Sequence, residues 1–217
     1  MTVPSTAFAD EHMRAAAQAV LNHDARAAIN AARHSQFGLD TIGSEGDTLL
    51  SLAVQNDDRA TVEALLAAGA NPNIPEELAP IAVAAENARM PILQLLLKAG
   101  ADPNGRVGSE TALWRLALAG RLDAAKLLLD AGANPDRANA GGDTPAIAAV
   151  QADHYRMALL LLDHGASAVA KSKIGFDIAF WTTRSRIPGT GVEGEAREQL
   201  IARLQQLGIP LPASKAR

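Results

Sequence analysis

Apolar residues along this chain come in short bursts at helical spacing, each ended by a polar break after about two turns. The stretch TALWRLALAGRLDAAKLLLDAGANPD at 111–136 shows the pattern whole. Ala112 to Ala119 predicts one helix, with Thr111 as its N-cap. Gly120 ends that helix by tolerating positive φ, and Leu122 to Asp130 predicts a second, with Ala124, Leu127 and Leu128 on one side. Gly132 closes the second helix, and Asn134-Pro135 commits the chain to an extended turn. Neither helix is long enough to be stable alone, so such pairs must stack to bury their apolar sides.

The closing phrase returns along the chain: LLAAGANPN at 65–73, LLLKAGADPN at 95–104, LLLDAGANPD at 127–136 and, eroded, LLLDHGASAV at 160–169. Its glycines, Gly69, Gly100, Gly132 and Gly165, are 31, 32 and 33 residues apart. Twenty-one residues before each stands Thr48, Ala79, Thr111 or Thr144, so the units share an internal register. Periods of this size belong to stacked repeat arrays. From each glycine to the next cap the count grows from 10 to 11 to 12, and the first of these loops, ANPNIPEEL, holds two prolines.

GGDTPAIAAV followed by LLLLDHGA (141–166), and SETALWRLALAGRL followed by LLLDAGAN (109–134), resemble the ankyrin repeat family pattern closely. Residues 45–71 and 78–102 resemble it less completely. The resemblance implies an all-α fold, an ankyrin repeat solenoid of helix-turn-helix units with short or hairpin-like finger loops. The expected organisation is an N-terminal helical cap over 1–43 (Met13–Asn22 and Asp24–Arg33), four repeats over 44–170, and a degenerate fifth repeat with a capping helix over 171–217. The short loop after Gly69 predicts a stunted finger.

The resemblance also implies where a partner lies: on the concave side, against finger tips and the exposed ends of first helices. Carried onto this chain, these are Gln55, Asn56, Glu86, Asn87, Leu118, Ala119, Gln151, Ala152 and Arg184 from helices. The fingers add Glu45, Asp47, Glu76, Glu77, Glu110 and Asp143. Acids dominate this set and Arg184 is its one cation, which predicts an acidic stripe steering a basic protein partner. Trp114 takes a first-helix position where it serves either as an interface anchor or as packing under a finger. Trp181, at the equivalent place in the last unit, is expected in the C-terminal cap.

Composition narrows the remaining classes. A hydrophobic fraction of 48% with only 3% aromatics suits closely packed Ala/Leu helices. The net charge of −4 gives no footprint for nucleic acid, and the absence of cysteine removes disulfides and thiolate metal sites. The apolar runs are too short to insert in a membrane. MTVPSTAFAD has no basic or apolar region ahead of its Ala-Phe-Ala, which predicts a cytoplasmic protein, or a periplasmic one if that triplet is the tail of a removed signal.

Candidate chemistry is sparse. GTGVEG at 189–194 matches a dinucleotide fingerprint, but Pro188 precedes it where a strand should be, and Glu193 and Glu195 crowd the helix end that would attract pyrophosphate. It reads as a flexible insertion. His154 is expected in a structural hydrogen bond at an inter-helix turn, and His164 at a helix end. His12, His23 and His34 fall in the N-terminal cap, and Asp57-Asp58 reads as a solvated turn. No catalytic or metal motif is found, so no enzyme, cofactor or metal is expected. The expectation is a protein-binding module, monomeric when free, acting as an inhibitor or immunity-type protein or as an adaptor. An enzyme with an unrecognised site is the third reading.

Overall fold

The computed structural model describes residues 10–35, 38–75, 78–87 and 89–212. The chain divides into two compact units, Met1–Gly108 and Ser109–Arg217. Unit 1 holds α1 (Glu11–Leu21), α2 (Ala25–His34), α3 (Leu49–Gln55), α4 (Arg59–Ala67), α5 (Pro80–Glu86) and α6 (Met90–Lys98), then the two-residue strand β1 (Arg106–Val107). Unit 2 opens with β2 (Glu110–Thr111) and continues with α7 (Ala112–Leu118), α8 (Leu122–Asp130), α9 (Pro145–Gln151) and α10 (Tyr155–Asp163). It ends with α11 (Ile178–Thr182) and α12 (Gly191–Gln206). Within each unit first helices stack on first helices (α1, α3, α5; α7, α9, α11), and second helices do the same. Fully buried alanines, among them Ala53, Ala84, Ala117 and Ala148, let the first helices approach closely.

Each first helix starts on a cap. Thr48, Thr111 and Thr144 accept from the amides of Ser51, Trp114 and Ile147 at 3.1, 3.1 and 3.3 Å. The Thr48 amide in turn donates to Ser51 Oγ at 2.8 Å, completing a capping box. Ala79 offers no side-chain cap, and Pro80 at the first turn compensates by removing an orphan donor.

The recurrent LL-x-x-GA phrase is a Schellman closure of each second helix. Gly69 adopts φ +96°, its amide bonds Leu66 O and the Ala70 amide bonds Leu65 O at 3.0 Å. Ala101, Ala133 and Ala166 bond Leu96, Leu128 and Leu161 in the same way at 2.9 Å. The Asn or Asp after the proline does more than turn the chain. Asn73 Oδ1 accepts from the Asp102 amide at 2.7 Å, and Asp136 Oδ1 from the Ser167 amide at 2.8 Å, each tying one repeat to the next.

Several expectations change. GTGVEG is not a flexible insertion: Thr190 is the N-cap of α12 and residues 191–194 form its first turn. Gly194 is buried so closely under Pro188 and Gly189 that a methyl group there would strike the Pro188 carbonyl. Asp58 is not solvated either; it is 8% exposed, caps α4 through the Thr61 amide at 3.1 Å and bonds His23 Nδ1 at 2.9 Å. His154 makes no cap bond to α10 and instead lays its ring on Gly120. In register, Phe180 and not Trp181 occupies the position of Trp114, three residues after the cap Asp177.

Candidate protein-binding surface

The inter-helix turns set how one pair's exposed end meets the next. His23, Asp57, Gly120 and Asp153 all take positive φ, between 57° and 66°. Polar side chains tolerate that region better than bulky ones, so glycine is not obligatory there. The next pair reaches back to this turn: Arg89 donates to Gln55 O at 2.8 Å and to Val54 O, and lies 3.5 Å from the Asp57 carboxylate. Arg89 thereby adds a charged donor to carbonyls at the end of α3, one of which, Val54 O, also accepts from the Asp57 amide at 3.1 Å. The same register position is Asp58 against His23, and His154 against Gly120.

With the turns fixed, the seventh residue after the cap projects outward in the five pairs opened by α3, α5, α7, α9 and α11. In unit 1 these are Gln55 and Glu86; in unit 2 they are Leu118, Gln151 and Arg184, and all five are exposed. Leu118 leaves 43% of its surface in solvent although it closes an apolar helix. The second and fifth residues after the cap are buried in these same five pairs; after Asp10, the cap of α1, both are exposed.

The residue before the cap pairs with this end of its own helix. Asp47 Oδ1 accepts from Gln55 Nε2 at 2.6 Å and from Ser51 Oγ at 3.2 Å. Eight residues likewise separate Asp143 from Gln151, which bonds it; burial nonetheless pushes the Asp143 carboxyl up from its ordinary value. Glu110 lies 3.5 Å from the Arg115 guanidinium. Glu45 is exposed, Asn56 is the C-cap of α3, and Asn87 turns its amide onto Val83 O at 2.9 Å. Glu76 and Glu77 lie outside the described residues.

Trp114 is packing. It is 7% exposed and its indole N–H donates to Asp143 O at 3.0 Å, joining α7 to the finger before α9. In unit 2 the acids of the expected stripe are thus engaged: Glu110 by Arg115, and Asp143 by Gln151 at a half-buried place. Exposed cations follow instead. Arg184 sits 3.6 Å over the Phe180 ring, and Arg186 lines the same small cavity. Residue types alone gave no signal for that cavity, because it forms only where α9 meets the turn after α11.

Among the described residues no cluster of three or more His, Asp or Glu is placed to hold a metal, and no helix is long and apolar enough to cross a membrane. A cavity of about 470 Å³ on α8, α10 and α12 is lined by Leu159, Val192, Lys126 and Arg156 among others. Lys126 is engaged by Asp130 at 2.6 Å, and the Glu193 carboxylate bonds the Arg156 amide at 3.0 Å.

Stacked short helix pairs closed by glycine, with variable exposed ends, define a helical repeat protein. The family of ankyrin repeats in three copies matches residues 81–172, and the single ankyrin repeat matches 45–77. The chain belongs to the ankyrin repeat family. It is similar to the crystal structure of the ankyrin repeat protein EF0377, with TM-score 0.71 and 25% identity over 87% of this chain and 96% of that one. It is also 35% identical over 106 residues to a mitochondrial disaggregase of Bos taurus. That match takes in 46% of this chain and spans only 16% of the disaggregase.

Proposed function

We propose that this chain is a non-catalytic module that binds another protein through the exposed seventh positions of its first helices and the finger residues beside them. One observation carries the reading: in the five pairs from α3 onward that position is exposed yet holds Gln, Glu, Leu, Gln and Arg, while the buried positions beside it keep to small or apolar residues with Thr182 as the lone polar one. Exposed Leu118 offers a partner apolar area at a position where the other pairs offer polar or charged groups. Similarity to part of a disaggregase is in keeping with a segment that faces other proteins.

The finer reading is an inhibitor or immunity-type protein, whose unit 1 acids Glu45, Asp47 and Glu86 meet a basic surface of the protein it covers. An adaptor role is the alternative. Affinity capture from source lysate, followed by titration with the purified partner, tests the interface. Leu118→Lys with Gln151→Ala should weaken binding about a hundredfold with unchanged circular dichroism. A partner bound as tightly by that variant and by Glu45→Lys with Glu86→Lys would remove these residues from the interface. Suppression of the partner's own activity on addition of this chain separates inhibitor from adaptor.

A further inference from the structure

We infer that the cavity beside α11 in unit 2 is an acceptor site for an acidic side chain of the partner protein, gripped by Arg184 and Arg186. This rests on the protein-binding reading and names the chemistry of one of its contacts.

Charge separates this corner from the rest of the chain. Residues 171–186 carry Lys171, Lys173, Arg184 and Arg186 against Asp177 alone, within a chain of net charge −4. Asp177 is engaged in capping α11 through the Phe180 amide at 2.9 Å. The cavity is about 250 Å³ and lined by Val150, Gln151, Asp153, Trp181 and the two arginines, among others. It is below the range of drug-sized ligand pockets and suits a single side chain. Asp153, the one acid in the lining, is held by two donors: its Oδ1 accepts from Ser185 Oγ at 2.7 Å and from Tyr155 Oη at 3.1 Å.

The arginine is prepared in advance. Phe176 and Phe180 stack at 3.6 Å and 10°, and the Arg184 guanidinium lies 3.6 Å over the outer ring. A guanidinium held by its face on a ring loses little freedom on binding and keeps N–H edges for a carboxylate fork. Arg184 directs one N–H toward Phe180 O at a weak 3.4 Å, which a carboxylate would outcompete. Gln151 brings a neutral amide to the same cavity. Trp181 lines the cavity as well, and its indole N–H is buried without an acceptor among the described residues.

The test is a ¹⁵N-resolved titration of the full chain with an acetylated, amidated Glu-Gly-Glu-Gly-Glu peptide, with Lys and phosphoserine counterparts in place of Glu. The Glu peptide should shift the Trp181 indole and Gln151 amide signals saturably and leave the Trp114 indole unmoved. Arg186→Ala and Arg184→Lys should each weaken it about tenfold, and Arg137→Ala, at an exposed position in the loop between α8 and α9 and not in the cavity lining, should not. Equal shifts with the Lys peptide, unchanged affinity in the arginine variants, or no shift at Trp181 would overturn the assignment. A phosphoserine peptide bound far more tightly than the Glu peptide would replace it with a phosphopeptide site. Arg186 lies off the aromatic stack, so Arg186→Ala decides the matter if Arg184→Lys unfolds. Peptide binding with no protein captured would sink the protein-binding reading alone; a captured partner indifferent to Arg184 and Arg186 would sink this site alone.

Discussion

Asp58 shows how one buried carboxylate serves two helices. Burial alone would raise its pKa, but bonds from the Thr61 hydroxyl and amide and from His23 outweigh it, and the carboxyl is held below its ordinary 3.8. A depressed folded pKa means that the contribution is complete above the unfolded value and is lost as pH falls through the lower folded one. Asp58→Ala should therefore cost about 2 kcal/mol at neutral pH by urea denaturation. Asp58→Asn should flatten the fall in stability below pH 4 or so. Tyr155, the chain's single tyrosine, has the opposite sense. Burial chiefly, with Asp153 adding to it, pushes its hydroxyl up to about 12. The fold resists ionisation, so stability should drop as pH rises from 10 toward 12, and an alkaline absorbance titration will see phenolate only near that upper value. Tyr155→Phe should remove the alkaline loss at a cost of about 1 kcal/mol at neutral pH.

At the scale of elements, two glycines in the same backbone region answer to different constraints. Gly132, φ +93°, closes α8 with open space where a side chain would be. Gly120, φ +66°, closes α7 with the His154 ring over it, and a methyl would come within 2.7 Å of Nδ1. Gly132→Ala should cost about 1–2 kcal/mol from backbone strain alone. Gly120→Ala should cost more, and His154→Ala in the same chain should recover the excess; an additive double-mutant cycle in thermal unfolding would show that the two do not meet. Helix limits were legible because cap and closure are local: Thr48, Thr111 and Thr144 bond within three residues, and each Gly-Ala closes its own helix. What lay outside local reach was misread. Asp58 and His154 were assigned without the preceding turn that each touches, and Gly194 without the Pro188 backbone that makes it necessary.

For the whole molecule, the consequence is a division of labour between positions. Changes at Gln55, Glu86, Leu118, Gln151 or Arg184 should leave the melting temperature within a few degrees of wild type while altering partner affinity. The second and fifth positions should behave in the opposite way, with Leu116→Ala costing about 2–5 kcal/mol from the cavity it leaves. If the unit 1 acids steer a basic partner, its association rate should fall steeply with added salt, and Glu45→Lys with Glu86→Lys should slow association more than it speeds dissociation. A salt-independent association rate measured by stopped flow would exclude steering.

By itself the sequence determined the repeat, its register and its family, because a Schellman glycine, a threonine cap and a Leu-Leu pair are instructions read within one turn of helix. It also determined which positions vary, and so where a partner would be sought. Only the tertiary structure decided what the variable residues do once pairs stack. It buried Trp114 against the Asp143 carbonyl of the next repeat and brought Val150 and Gln151 against Arg184 and Arg186 around a cavity. The reason is range: a cap or a closure is settled by neighbours along the chain. The burial of Trp114 and the lining of the cavity depend on residues about thirty positions away, which only stacking brings into contact.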